Sequence, residues 1–315
     1  MKINYVAYLH PFHHNGGGEM VLRQLLETGK KRGHEFRISS ISPKISDRFN
    51  EPDLSILADL FNCPELYSRF KYSYIKKIIE SEKYIHFDNA YVDCCNLDYL
   101  PCSGNKTSIC QYKSIKKIVR NFRARDFCKD CFQSKKIVHE LYNKSELNVF
   151  VSPLHHKTIS EMLGIKNDHY YILNPLIDVD MFYNRGLERD IEYLYIGALT
   201  EAKGLDHLRR DFAGKNIQLL GKLVKGEKLD FGNHIGFVPY EKIPEYLNRS
   251  QNFVFLPRWP EPQGRVVVEA ALCGCRLITN ENVGATSFNF DISVSENMVS
   301  AENEFWEKLE SINHS

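Results

Sequence analysis

The segment from Glu261 to Ala270 reads EPQGRVVVEA and carries two carboxylates eight positions apart. It follows a strand-like run that ends at residue 256, and open α/β sheets bind ligands at the carboxyl ends of their strands. If a helix begins near Gly264, Glu269 lies at the flank of its buried face, where a desolvated carboxylate needs hydroxyl or cationic partners. Ribose hydroxyls would serve. The alternative is an ion pair between Arg265 and Glu269, four residues apart on one helix.

A lysine, Lys203, stands at the start of another predicted helix, after the strand-like run 193–196. A cation beside the positive end of a helix is favourable if a diphosphate lies between them. We therefore predict that Lys203 faces a phosphate group. A solvated surface position is the alternative.

Three consecutive glycines, Gly16, Gly17 and Gly18, separate an apolar run at 3–9 from a segment with helical spacing of apolar residues. Backbone without side chains can approach a ligand closely, and the first N–H groups of a helix point at it. The loop suits a phosphate or a sugar hydroxyl. It lacks the spacing GxGxxG of a dinucleotide site, and a simple tight turn is the alternative.

His86 ends the strand-like run 84–87 and precedes Asp88 and Asn89. Polar residues at strand ends often line the ligand cleft of an α/β fold, which makes His86 a candidate catalytic residue. A packed, hydrogen-bonded histidine is the alternative.

Six of the nine cysteines lie between residues 94 and 131. Cys128 and Cys131 have the C-x2-C spacing of a zinc knuckle, and Cys102 with Cys110 could complete a closed tetrahedral site. Cys94 and Cys95 are alternates. The expected metal is a structural zinc, and buried reduced thiols are the other interpretation because the second pair is spaced too widely for a usual knuckle.

The elements that must position these residues alternate between strand and helix periods in both halves of the chain. The pattern predicts an α/β protein with two Rossmann-like domains, residues 1–174 and 175–315. Residues 94–131 form a cysteine-rich insertion in the first domain, and the tail from 301 to 312 resembles an amphipathic helix. A composition of 43% hydrophobic and 26% charged residues fits a globular protein of 315 residues.

The charge is +1 overall, which disfavours a protein that binds polyanions over its whole surface. Residues 113–136, however, contain nine basic and two acidic side chains, with apolar residues at helical spacing. This segment predicts reversible contact with an anionic membrane, and packing of its apolar stripe on the first sheet is the alternative. No apolar run is long enough to span a bilayer, and the start of the chain lacks a signal-peptide pattern, so a cytoplasmic protein, peripheral at the inner membrane face, is expected.

The order of these motifs, with a linker DVDMF at 178–182, resembles the family 4 glycosyltransferases of GT-B fold. The resemblance implies two domains facing each other across a cleft, retention at the anomeric carbon and no catalytic metal. Glu269 would then hold the ribose, Glu261 the donor sugar and Lys203 the diphosphate. Gly264 and Arg265 would also bind the donor, and so would the glycine loop Gly16–Gly18, which would line the cleft from the first domain. His86 resembles the family's cleft histidine.

One departure from the family pattern concerns the diphosphate site. The family usually has arginine where this chain has Ala198, and Lys222, Arg258 or Arg265 could replace that charge. The function expected is transfer of a sugar from a nucleotide sugar to the hydroxyl of a glycan or lipid-linked glycan. A nucleotide-sugar epimerase and a metal-containing nucleic-acid binder are the alternatives. The second leaves the two-glutamate segment unexplained, so no nucleic-acid partner is expected.

Overall fold

The computed structural model describes residues 1–7, 10–13, 16–40, 47–60, 69–91, 136–165, 168–223 and 229–313. The chain divides into two compact units. The first comprises Met1–Val151, His155–Leu173 and Ala301–Ser315, and the second comprises Ser152–Leu154 and Asn174–Ser300. The description below treats each unit by itself.

The first unit is a parallel sheet with helices. Its six strands have the order β2-β1-β3-β4-β5-β6, and every pairing is parallel. The strands are β1 (Lys2–Ala7), β2 (Glu35–Ser40), β3 (Leu54–Ala58), β4 (Tyr84–Asp88), β5 (Leu147–Phe150) and β6 (Tyr170–Ile172). The helices are α1 (Gly17–Lys31), α2 (Arg69–Ser81), α3 (Lys136–Asn143), α4 (Pro153–Leu163), whose first two residues are assigned to the second unit, and α8 (Ala301–Asn313).

The second unit repeats this architecture on a smaller scale. Its five strands have the order β11-β10-β7-β8-β9, again all parallel. They are β7 (Ile191–Ile196), β8 (Ile217–Leu220), β9 (Asn233–Gly236), β10 (Ser250–Phe255) and β11 (Arg276–Thr279). The helices are α5 (Leu205–Phe212), α6 (Ile243–Arg249) and α7 (Arg265–Leu272), with a 3-10 turn at Tyr240–Lys242.

Helix α1 shows how the apolar pattern produces the layers. Val21, Leu22, Leu25 and Leu26 recur at helical spacing, and all four are buried. Strand β1 buries five of its six residues, as expected for a central strand of a parallel sheet. Together with the two parallel sheets, this packing confirms the two predicted Rossmann-like α/β halves.

Helix α8 belongs to the first unit, whereas the sequence pattern predicted that residues 175–315 form the second domain. The cause is the packing of Trp306, which is fully buried and lies 5.6 Å from Phe36 between ring centroids. Its indole N–H donates a hydrogen bond of 2.9 Å to the carbonyl of Leu25 on α1. Arg32 adds an ion pair of 2.7 Å to Glu310.

Two strands were not predicted. Strand β3 is a short, fully buried run without alternation, and β9 is an exposed edge strand with little apolar pattern. The four candidate zinc ligands lie outside the described residues, as does all of the basic segment 113–136 except Lys136. The ligands are Cys102, Cys110, Cys128 and Cys131. No described helix is both long enough and apolar enough to cross a membrane.

Candidate functional site

The order in which the chain adds strands to the second sheet reverses at strand β7. From β7 the chain runs outward to β8 and β9, and it then returns to place β10 on the other side of β7. In an open parallel sheet, the crevice beyond the carboxyl ends of two such strands is the usual ligand site. The loops that follow β7 and β10 carry Lys203 and Glu261, respectively.

The turn before α5 holds Lys203 against the loop after β10. Gly204 has φ of 86°, and a Cβ atom on it would overlap the carbonyl oxygen of Leu256. The backbone N–H of Arg258 donates to the carbonyl of Ala202 at 3.0 Å, which joins the two loops directly. Only glycine combines this backbone conformation with this close approach.

Lys203 and Glu261 form an ion pair between Nζ and Oε2. The lysine side chain is 27% exposed and the glutamate side chain 12% exposed, so both remain reachable from solvent. The Nζ atom also lies 4.8 Å from the ring centroid of Trp259, within cation–π range. The backbone of Glu261 is fixed by its N–H bond of 2.7 Å to the carbonyl of Asn282.

Glu269 is 3% exposed on helix α7, which begins after Gly264. The hydroxyl of Tyr240 donates a hydrogen bond of 2.7 Å to its Oε1, and Arg265 Nη2 lies 3.8 Å from the same oxygen. Burial raises the pKa of Glu269, while Arg265 and Tyr240 act in the opposite direction. Within the described part of the chain, Oε2 accepts no hydrogen bond, and the buried Nη1 of Arg265 donates none.

The structure therefore brings Lys203 to Glu261 and Arg265 to Glu269. The pair of Arg265 and Glu269 is the ion pair that the sequence offered as the alternative for this segment. It uses Oε1 of Glu269 and leaves Oε2 available to accept a hydrogen bond. Tyr240 was not predicted as a site residue, because a single tyrosine outside any periodic pattern gives no signal in the sequence. Among the candidates for a further cation, Arg258 lies 3.3 Å from Asp206, and Lys222 is exposed after β8.

The glycine loop and His86 lie in the first unit. Gly16 precedes α1, and a Cβ atom on Gly18 would come within 2.6 Å of the side-chain amide of Asn89, which would have to shift. His86 is fully buried in β4, with its ring 4.5 Å from that of Tyr142 between centroids. This environment matches the alternative of a packed histidine.

Comparison with known proteins supports one class of enzyme for this chain. Residues 180–289 match a family model described as "Glycosyl transferases group 1". This range contains Lys203, Glu261 and Glu269, and the match supports a glycosyltransferase family. No curated protein sequence matches the chain significantly.

Solved structures show the same fold. Anabaena HepE in complex with UDP and glucose is 14% identical, with a TM-score of 0.54 over 99% of this chain and 92% of HepE. Sucrose-phosphate synthase from Thermosynechococcus elongatus is 17% identical, with a TM-score of 0.54 over 99% of this chain and 90% of the synthase. The catalytic domain of starch synthase IV from Arabidopsis thaliana, bound to ADP and acarbose, is 13% identical, with a TM-score of 0.52 over 99% and 91%.

The fold is GT-B, as the sequence predicted. Together with the family match, it supports an enzyme of the transferase class that moves glycosyl groups.

Proposed function

We propose that this protein is a retaining glycosyltransferase of family 4 that moves a sugar from a nucleoside diphosphate donor to a hydroxyl of a glycan or lipid-linked glycan. The observation that carries the proposal is the ion pair of Lys203 and Glu261, held beyond the carboxyl ends of β7 and β10. A cation and a carboxylate at this point match the diphosphate and the sugar hydroxyls of such a donor. Similar folds have been solved with UDP, with UDP-glucose and with ADP.

The roles follow from the positions. Glu269 presents Oε2 to the ribose hydroxyls, and Lys203 leaves Glu261 to bind the diphosphate. Glu261 then accepts hydrogen bonds from the donor sugar. Gly264 allows the backbone to turn into α7 beside the donor, with φ of 77°, and Arg265 adds positive charge next to Glu269.

The reaction breaks the bond between the anomeric carbon and the diphosphate, and the bonding electrons go to the leaving phosphate oxygen. Lys203 stabilises this charge most strongly as it develops, which lowers the barrier to transfer. The acceptor hydroxyl attacks from the same face and gives its proton to the departing phosphate. No metal is required in this scheme.

The acceptor is assigned to the first unit, whose glycine loop Gly16–Gly18 suits a phosphate or a sugar hydroxyl of the donor. A cytoplasmic enzyme held at the inner membrane face by residues 113–136 would meet a lipid-linked acceptor there. A structural zinc on Cys102, Cys110, Cys128 and Cys131 would hold the insertion that precedes the described helix α3.

A panel of nucleotide sugars tests the proposal. We expect one donor to raise the melting temperature and to release its nucleotide diphosphate only when an acceptor is added. Nuclear magnetic resonance of the product should show the anomeric configuration of the donor. An epimerase would instead convert the donor without an acceptor, and a protein that neither binds nor consumes any donor would contradict the proposal.

A further inference from the structure

Tyr240 reaches Glu269 from a different part of the second unit. It opens the 3-10 turn Tyr240–Lys242, which connects the edge strand β9 to α6, whereas Glu269 lies on α7. The tyrosine ring packs on the fully buried Phe182 with 5.4 Å between centroids. This packing fixes the ring, so the hydroxyl is held in place toward Oε1 of Glu269 at 2.7 Å.

The contacts of Glu269 are one-sided. Tyr240 and Arg265 both approach Oε1, and Arg265 Nη2 also lies 3.4 Å from the Tyr240 hydroxyl. A carboxylate bonded at one oxygen by a fixed donor cannot rotate freely, and its second oxygen keeps its full capacity to accept hydrogen bonds. For Glu269 that second oxygen is Oε2.

We propose that Tyr240 is a positioning residue that locks Glu269 with Oε2 directed to the ribose hydroxyls of the donor. The inference rests on the proposed function, and it adds to it a residue that selects ribose over deoxyribose nucleotides. Selectivity follows because both ribose hydroxyls donate to an oxygen that is fixed in direction, so the loss of one hydroxyl removes a hydrogen bond that the carboxylate cannot regain by turning.

The ionisation of Glu269 gives an independent readout. The groups that face this carboxyl are the Tyr240 hydroxyl before α6, the Arg265 guanidinium on α7 and the Cys273 thiol that follows α7. Burial raises the pKa of Glu269, and the hydrogen bond from Tyr240 lowers it. Removing the hydroxyl therefore raises the pKa further, and nucleotide binding is then lost at a higher pH on the acidic side.

The test compares wild type with Tyr240→Phe, which keeps the ring packed on Phe182. Calorimetric titrations use UDP, 2′-deoxy-UDP and 3′-deoxy-UDP, and the matching series for each of the other bases, at several pH values. Tyr246→Phe on α6 is the matched control, since it removes a tyrosine hydroxyl without touching either partner of Glu269.

We expect wild type and Tyr246→Phe to prefer the ribonucleotide about tenfold. Tyr240→Phe should lose about tenfold in affinity for the ribonucleotide and little for the deoxy forms. The pH below which this variant loses nucleotide affinity should be higher than in wild type. An equal loss for ribo and deoxy forms, or none, overturns the role of Tyr240 while the proposed function stands. If wild type binds none of these nucleoside diphosphates, whichever base they carry, the proposed function fails, and this inference fails with it.

Discussion

The Nζ atom of Lys203 contacts Oε2 of Glu261, across the two loops that follow strands β7 and β10. Each group neutralises the other, and both are partly exposed. A diphosphate that binds here offers Lys203 a more highly charged partner than a single carboxylate. Under the proposed function, arrival of the nucleotide would release Glu261 for the sugar, so binding of the two parts of the donor would be coupled.

Lys203→Ala should lower kcat by about 10- to 100-fold with a smaller change in donor KM, because the cation matters most when charge develops on the leaving diphosphate. Steady-state kinetics with the preferred donor measure both constants. Lys215→Ala is the control, as this lysine lies over the rings of Phe212 and Tyr193 in the same unit. Equal kinetics for Lys203→Ala and wild type would contradict the assigned role.

Gly204→Ala should weaken nucleotide binding and destabilise the second unit by more than the ~1–2 kcal/mol of positive-φ strain alone. The reason is the overlap of the new Cβ with the carbonyl of Leu256. Gly214→Ala is a matched control, since Gly214 has φ of 78° with no atom within 4 Å of its added Cβ. Calorimetric unfolding and nucleotide titration of both variants make the comparison. Similar losses in the two would show that the loop contact is unimportant.

His155 should make the first unit less stable in acid. Burial lowers its pKa to about 3, against an ordinary value of 6.5. Below pH 6.5 the unfolded chain therefore binds a proton that the folded chain excludes, and the free energy of unfolding falls with pH until about pH 3. The slope from one such group is at most about 1.4 kcal/mol per pH unit.

Urea unfolding between pH 4 and 8 measures this slope. In a Trp259→Phe background, Trp306 is the remaining tryptophan and reports on the first unit. His155→Gln should flatten the acidic decline, while His139→Gln, a half-buried position on α3, should keep it. A slope unchanged by His155→Gln would show that this histidine does not cause the acid sensitivity.

The cysteine cluster predicts about one zinc per chain, held by Cys102, Cys110, Cys128 and Cys131. Elemental analysis of protein purified without added metal measures it, and Cys128→Ser should lose the metal and lower the melting temperature. Cys273→Ser is the control, because this thiol is buried in the second unit. Metal-free protein of unchanged stability would favour reduced, buried thiols.

Residues 113–136 predict binding to anionic vesicles that is lost at high salt, since each basic side chain near the surface contributes about 1 kcal/mol. Co-sedimentation with anionic and neutral vesicles at low and high salt measures it. A protein that stays in the supernatant in all four conditions would point to a soluble acceptor.

Much of the candidate site could be predicted from the sequence, because parallel sheets bind ligands at the carboxyl ends of their strands. Lys203 and Glu261 each follow a recognisable strand, so both could be placed at the carboxyl edge of the sheet without knowing the sheet order. Their contact could not be predicted, because it depends on β7 and β10 being neighbours. The burial of His86 could not, since a strand pattern gives the face of a residue and says little about what covers that face. The role of Tyr240 could not be predicted either, because it depends wholly on the tertiary contact of this residue with Glu269 on α7.

Helix α8 shows the same limit for the fold. Its amphipathic pattern indicates that Phe305 and Trp306 face a core, and both are buried. The pattern contains no information about which of two similar sheets supplies that core.

The position of α8 has a consequence for the order of folding during synthesis. The second unit needs no residue beyond Ser300, so all of its chain leaves the ribosome before the first unit is complete. The first unit lacks the partners of Leu25 and Arg32 until Trp306 and Glu310 have emerged. Until then, the apolar surface that Trp306 will cover is open to water and to other nascent chains. The first unit, whose synthesis begins first, is therefore the unit that can complete its folding last.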